Sequence, residues 1–122
     1  MSTELRKVEP GSRIDRLEFG GQSEHLNKEI HVGSYICPYC KSRLSFNTSD
    51  LERHFCKYAS NLDQPTQKAF DAFRPLEPSR WQSFIDFYCD GCQRPVRIIY
   101  EPGGQYAMGC YAQRLVEIIE AV

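Results

Sequence analysis

A chain of 122 residues fits one domain that buries about two thirds of its unfolded surface, so its margin of stability is thin. With 41% hydrophobic and 25% charged residues, the composition excludes a disordered chain, and the net charge of −1 gives no general field for attracting nucleic acid. No apolar run approaches the roughly 20 residues of a membrane span, and the first residues lack a signal-peptide core. We therefore expect a cytoplasmic protein whose six cysteines are metal ligands or buried thiols.

The N-terminal quarter is mainly polar, and turn-forming pairs beginning at Pro10 and Gly20 interrupt any periodic pattern. This composition predicts a polar N-terminal arm over residues 1–32, loosely docked or mobile, with a short strand at Arg16–Phe19. Residues 33–122 are predicted to form the folded domain.

The pattern changes at Ser34 to the alternation typical of strands. Tyr35 and Ile36 lead into a first cysteine pair, and Arg43–Phe46 alternates after it. The sequence therefore predicts two short strands joined by a cysteine turn.

A two-helix insertion is predicted at about residues 49–80. Ser49 and Glu52 form a capping-box pattern, and apolar residues at helical spacing predict a first helix from about Asp50 to Asn61. Pro65 suits the first turn of a second helix, which further prolines end. The predicted inner face of the second helix comprises Ala69, Phe70 and Phe73.

Two strands are predicted near the C-terminus. Pro95–Glu101 is rich in β-branched and aromatic residues, which makes it the strongest strand signal in the chain. The tail fits either a helix or a strand, since Leu115, Ile118 and Ile119 suit both. We favour a strand over Leu115–Glu120, because it can pair with the preceding hairpin.

The strongest chemical signal lies in two motifs, Cys37-Pro38-Tyr39-Cys40 and Cys89-Asp90-Gly91-Cys92. Two residues between cysteines let one tight turn present both sulfurs to one ion, and zinc prefers a tetrahedral shell. Two such turns facing each other complete a shell without an open position, which indicates one structural Zn²⁺ ion. The alternatives are unrelated thiols or a redox dithiol, which would explain one motif but not two. The predicted ligands are Cys37, Cys40, Cys89 and Cys92.

These motifs, each a turn followed by a strand, resemble the zinc-ribbon group of folds. The resemblance implies a structural metal but not a function, because zinc ribbons serve in transcription, ribosomes, enzymes and interaction modules. The chain departs from the compact form through the long segment 41–88 and its lack of surplus basic residues. The expected fold class is α+β: a small antiparallel sheet with a zinc-ribbon-like four-cysteine site and a two-helix insertion between the motifs.

A second resemblance covers Phe84–Glu101, with the sequence Phe-Ile-Asp-Phe-Tyr-Cys-Asp-Gly-Cys-Gln-Arg-Pro-Val-Arg-Ile-Ile-Tyr-Glu. This segment is similar to small bacterial immunity proteins of secreted toxin systems. The resemblance implies an inhibitor that binds a toxin domain and blocks its active site.

The remaining cysteines, Cys56 and Cys110, are predicted to be buried thiols. The alternative is a second metal site that combines them with His54 and an unidentified fourth ligand. Arg94 and Arg97 flank the strongest strand and are predicted to lie on the surface.

Two further groups bear on partners. A basic patch near the zinc site, with Tyr39 and Phe46 for stacking, would suit nucleic acid, although a solvated helix face is the simpler interpretation. Its basic residues are Lys41, Arg43, Arg53 and Lys57. A cluster of aromatic residues is predicted to be mainly core, and any exposed members would form a partner-binding patch. They are Phe70, Phe73, Trp81, Phe84, Phe87 and Tyr88.

The sequence carries no recognisable arrangement of catalytic groups, so we do not predict an enzyme. The leading hypothesis is a non-catalytic protein-binding module with structural zinc, and in its most specific form an immunity protein that inhibits a cognate bacterial toxin. The alternative is a zinc-ribbon factor that binds nucleic acid or acts in transcription, which we rank below a protein partner. No membrane partner is expected.

Overall fold

The computed structural model describes residues 4–14, 18–20, 31–47, 60–107 and 110–122, and most of these residues form antiparallel β-strands. One α-helix, α1, spans Gln64–Phe73, and two short 3-10 turns span Pro10–Ser12 and Pro78–Arg80. The strands are β1 Leu5–Val8, β2 Glu18–Gly20, β3 His31–Ile36, β4 Arg43–Asn47, β5 Ser83–Tyr88, β6 Pro95–Ala107 and β7 Cys110–Ala121.

The larger sheet has the order β1-β7-β6-β5, with β2 also pairing with β7. Its centre is the long β6–β7 hairpin, in which Ile98 lies opposite Ile118. The strands predicted at Pro95–Glu101 and Leu115–Glu120 are both confirmed, and both continue beyond the predicted bounds. Cross-strand pairs of β-branched residues favour this pairing.

The smaller sheet is the β3–β4 hairpin, as the alternation around the first cysteine pair predicted. It is joined to the N-terminal segment by a bridge between Ile14 and Tyr35 and by a hydrogen bond of 3.1 Å from the Ile36 amide to the Arg13 carbonyl. The segment before β3 therefore holds the hairpin just ahead of its first cysteine.

Both faces of the larger sheet are buried where the structure describes its side chains. The metal face carries one apolar cluster beneath the β3–β4 hairpin, and the helix face carries another beneath α1. The buried residues of the metal face are Ile14, Tyr35, Cys37, Ile85, Cys89, Val96, Ile98, Tyr100, Leu115 and Ile118. Those of the helix face are Leu62, Phe70, Phe84, Ile99 and Ile119.

Helix α1 begins at Gln64, so Pro65 lies in its first turn, as predicted. The Asp63 side chain caps the helix by accepting a hydrogen bond of 2.9 Å from the Thr66 amide. Of the predicted inner face only Phe70 is buried, whereas Ala69 and Phe73 are exposed. Phe70 is therefore the one side chain of this helix that is buried against the sheet.

The predicted α+β class with a two-helix insertion is wrong, since the described residues form a nearly all-β fold with one helix between the cysteine motifs. Most of the first predicted helix, Asp50–Asn61, lies outside the described residues, but its end is not helical. There the Ser60 hydroxyl and the Asn61 amide donate hydrogen bonds of 2.6 and 2.7 Å to the buried carboxylate of Asp86. A buried carboxylate without hydrogen bonds is costly, so the hydrogen bonds to Asp86 outweigh the preference of the apolar spacing for a helix at these two residues.

Strands from the predicted N-terminal arm share the larger sheet with the predicted domain. In β1, Leu5 pairs with Ala121, and in β2, Glu18 pairs with Arg114. The short strand predicted at Arg16–Phe19 overlaps β2, and residues 15–17 lie outside the described part. The division at residue 32 stays a prediction.

Among the described residues, no helix has the length and apolarity that crossing a membrane requires.

Candidate metal centre

The first cysteine turn is closed by two backbone hydrogen bonds. The Lys41 amide donates to the Cys37 carbonyl at 3.0 Å, and the Cys37 amide donates to the Ser42 carbonyl at 2.9 Å. Lys41 has a φ of 65°, a left-handed conformation that is uncommon for a residue with a side chain. This conformation turns the chain back into β4 and leaves both sulfurs on the inner side of the turn.

The second turn repeats this arrangement. The Gln93 amide donates to the Cys89 carbonyl at 2.7 Å, the Cys89 amide donates to the Arg94 carbonyl at 2.9 Å, and Gln93 has a φ of 61°. Even the side chains correspond, because Lys41 Nζ and Gln93 Nε2 each donate to the carbonyl three residues earlier. Two unrelated thiol pairs would not share this geometry.

The two turns face each other and bring four sulfurs together. The Sγ atoms of Cys37, Cys40, Cys89 and Cys92 all lie within 4.8 Å of one another. Two separations that join the turns are 3.7 Å from Cys37 to Cys92 and 3.3 Å from Cys40 to Cys89. A tetrahedral ion with bonds of about 2.3 Å to sulfur would set its ligands about 3.8 Å apart, so the cluster fits a four-thiolate centre. The prediction that these cysteines are placed to hold a metal ion is confirmed.

Glycine at position 91 makes the close approach of the turns possible. A side-chain carbon on Gly91 would lie 2.5 Å from Cys40 Sγ and closer still to Ser42 Oγ. Real Cβ atoms do not approach other atoms so closely. The second turn can therefore face the first only with glycine at this position.

Hydrogen bonds favour the thiolate form of two of the four ligands. The hydroxyl and the backbone amide of Ser42 lower the pKa of Cys40 to about 6. Burial opposes ionisation of Cys92, but hydrogen bonds from the amide and guanidinium of Arg94 outweigh it and lower its pKa. Burial raises the pKa of Cys89 to about 11. A bound cation would supply the charge that ionised Cys89 requires.

An arginine–tyrosine stack lies outside the sulfurs. The Arg94 guanidinium lies 3.9 Å from the centre of the Tyr39 ring, and the Arg6 guanidinium lies 5.6 Å from it. Tyr39 is 40% exposed. Arg94, predicted as an ordinary surface residue, therefore links the second turn to Tyr39 of the first turn. Tyr39 in turn contacts Arg6 of β1.

Beneath the first turn lies a buried carboxylate, Glu120, on β7. Arg6 and Arg13 donate to it at distances of 2.6 to 3.2 Å, and the Tyr35 hydroxyl donates to it at 2.5 Å. Burial opposes ionisation of Glu120, yet these hydrogen bonds outweigh it and lower its pKa. Burial and the neighbouring carboxylate raise the pKa of Tyr35. This cluster fixes the N-terminal segment and β3 to the large sheet.

The helix face carries two further buried carboxylates with arginine partners. Arg97 donates to Asp86 at 3.2 Å, and its side chain is only 2% exposed, so the prediction that Arg97 lies on the surface is wrong. Glu101 accepts hydrogen bonds from Arg80, Gln82 and Arg114. No local sequence pattern predicts these pairs, because charged residues on a strand normally indicate a solvent-facing side.

The structure does not describe the side chains of the remaining candidate ligands. Cys56 and His54 lie outside the described residues, and of Cys110 the structure describes only its backbone position in β7. The proposed second metal site therefore stays a prediction.

The basic patch is only partly described, whereas all six residues of the aromatic cluster lie in the described part. Lys41 and Arg43 are exposed, while Arg53 and Lys57 lie outside the described part. Of the aromatic cluster, Phe70 and Phe84 are buried, and Phe87 and Tyr88 are half-buried. Phe73 and Trp81 are 39% and 70% exposed, so they are the members available to a partner-binding patch.

Searches against protein-family models, curated proteins and solved structures return no match for this chain. The metal centre and the surfaces beside it therefore carry the functional argument.

Proposed function

We propose that this chain is a non-catalytic protein-binding module held together by one structural zinc ion. The observation that carries the proposal is the four-cysteine cluster, whose protein ligands would fill a tetrahedral shell and leave no position for water or substrate. Zinc is the proposed ion because four thiolates at tetrahedral spacing are the ligand set typical of structural zinc.

The buried carboxylates support a binding role over catalysis. Asp86, Glu101 and Glu120 each accept hydrogen bonds from arginine, and the pKa values of Glu101 and Glu120 are lowered. A general acid or base requires a carboxylate whose pKa lies near neutrality. These groups instead hold loops and strands in place.

The specific partner in this proposal is a bacterial toxin domain, which the chain would inhibit by covering its active site. Support comes from the resemblance of residues 84–101 to immunity proteins and from exposed apolar and aromatic side chains, which are typical of protein-binding surfaces. In the described part, these side chains include Ile36, Tyr39 and Trp81.

A second candidate function is nucleic-acid binding by the first cysteine turn. One observation favours it: Tyr39 lies beside two arginines, and Lys41 and Arg43 are exposed nearby. Basic groups and aromatic rings together bind single strands. The nearly neutral chain and the arginine stacking already present on Tyr39 place this function second.

A tagged pull-down from the native cell, at low and high salt, tests both proposals. We expect one protein to be captured with the wild-type chain at both salt concentrations, and one zinc ion per chain in the same sample, since an apolar-cored interface is less sensitive to salt than phosphate contacts are. The tag alone is the control. Nucleic acid recovered only at low salt would favour the second function, and absence of any retained protein would contradict the first.

A further inference from the structure

We propose that the pocket beside the first cysteine turn binds an acidic segment of the partner protein that carries an apolar anchor residue. This inference deepens the proposed function and rests on it, since it names the surface and the chemistry of the protein partner. The pocket has a volume of about 370 Å³ and lies between the 3-10 turn Pro10–Ser12 and the start of the cysteine turn. Its lining includes Ser12, Arg13, Ile36, Cys37, Pro38 and Lys41.

The wall of the pocket is suited to an apolar side chain. Ile36 is 38% exposed although it is the last residue of a strand whose preceding residue, Tyr35, is buried. Together with Pro38 it offers an apolar surface that opens to solvent. Burial of such surface against an apolar side chain of a partner favours association.

The charge around the pocket is positive. Arg13 and Lys41 line it, and Arg43 lies opposite Ile36 in the β3–β4 pairing, so both side chains project from the same side of the hairpin. Glu120 carries one negative charge and pairs with two arginines, Arg6 and Arg13, so this cluster keeps a net charge of +1. A partner that places carboxylates around its anchor residue would match this charge.

The pocket is also held in a fixed shape. Arg13 Nε and Nη2 donate hydrogen bonds to the Glu120 carboxylate at 2.6 and 3.1 Å. The third nitrogen of the guanidinium, Nη1, donates to the Ser12 carbonyl. Cys37 and Pro38 belong to the cysteine turn, so a bound metal ion would order one wall. A pre-organised site loses less entropy when it binds a segment.

A random library of 12-residue peptides displayed on phage, selected on the zinc-loaded full chain, tests the proposal. We expect enrichment of peptides in which an apolar residue is flanked by Asp or Glu. For the enriched peptides, Lys41→Glu and Ile36→Asp should weaken binding at least about tenfold. Lys68→Glu, which makes the same charge change on the exposed side of α1, should leave binding unchanged. Zinc content and melting temperature, measured on each variant, separate loss of the site from loss of the fold.

Three outcomes would overturn the proposal: no enrichment, enrichment without an acidic bias, or equal weakening by Lys41→Glu and Lys68→Glu. A single-stranded oligonucleotide that binds the wild-type chain but not Lys41→Glu would assign the surface to nucleic acid instead. The pull-down separates this failure from failure of the proposed function. If Lys41→Glu still captures the native partner, the surface is wrong and the function stands; if the wild-type chain captures none, the function itself fails.

Discussion

The two faces of the large sheet are covered in different ways. The metal face is covered by the β3–β4 hairpin, which the four cysteines tie to the β5–β6 turn. The helix face is covered by α1 and the loops beside it, with Phe70 packed against Ile99 and Ile119 and with arginine–carboxylate pairs around them. A small domain thus buries both sides of one sheet with few residues on either side.

The two covers obtain their stability from different sources. The hairpin on the metal face is short and, among the side chains of β3 that the structure describes, Tyr35 is the one large group that is buried, whereas Ile36 is exposed. A metal ion would supply the rest, as it does for small domains whose cores are too small alone. The cover on the helix face depends instead on ordinary packing and on neutralised charge.

Removal of one cysteine should have the largest effect. Cys92→Ser leaves three thiolates and only Cys89 to hold the ion from the second turn, so we expect loss of the metal and of cooperative folding. Metal content by atomic emission and a thermal unfolding curve by circular dichroism would show it. Cys110→Ala is the control and should retain one zinc ion per chain. A Cys92→Ser protein that melts like the wild type would refute a structural role for the metal.

On the helix face, the largest effect should come from Asp86→Ala. This change leaves the Arg97 guanidinium buried, with Asp71 as its remaining carboxylate partner. Breaking a buried pair in this way costs about 3–5 kcal/mol of unfolding free energy. Denaturation in urea measures it, and the metal content should stay that of the wild type.

Asp71→Ala is the matched control, because it removes the other carboxylate from the same arginine. The Asp71 side chain is 65% exposed, so its pair with Arg97 is worth less than about 1 kcal/mol. Equal losses from the two variants would mean that the helix face does not depend on the buried charge.

A smaller effect is expected where the two turns meet. Gly91→Ala places a methyl group against Cys40 and Ser42, which forces the turns apart and costs about 1–3 kcal/mol. The release of zinc to a coloured chelator should be faster than from the wild type. Asp90→Ala, at an exposed position in the same turn, should release zinc at the wild-type rate. Unchanged release from Gly91→Ala would show that the turns are not held at this distance in solution.

The comparison also explains which features the sequence could predict. The cysteine ligands and the strand at Pro95–Glu101 are local patterns, and both were recognised from spacing and residue type. The Tyr35–Glu120 hydrogen bond joins residues 85 positions apart, and no local pattern reports such a contact. Arg97 was predicted to lie on the surface because alternating residues indicate a sheet with one solvent-facing side. In this sheet the described residues of both faces are buried.

The helical insertion was overestimated for a related reason. Apolar residues at helical spacing predicted a helix ending at Asn61, but Ser60 and Asn61 instead satisfy Asp86. The strand content was underestimated because β1 is short and polar and gains its stability by pairing with β7. Its partner is far away in the sequence, so composition alone gave no sign of this strand.

The smallest predicted effect concerns acid. Hydrogen bonds from Arg80, Gln82 and Arg114 outweigh burial and lower the pKa of Glu101 from 4.5 to about 2. A carboxyl with a depressed pKa stabilises the folded state fully above its unfolded pKa, and this contribution declines as the pH falls from about 4.5 towards 2. Glu101→Gln removes the titrating group and should flatten this part of the stability curve.

Protonation of the cysteine thiolates and release of the metal also destabilise the protein in acid, but they do so in both variants. The difference in unfolding free energy between wild type and Glu101→Gln therefore isolates the carboxyl, and it should be constant near neutrality and shrink below about pH 4.5. A difference that stays constant down to pH 3 would mean that the arginines do not hold Glu101 ionised. The acid sensitivity of the fold would then arise from groups other than Glu101.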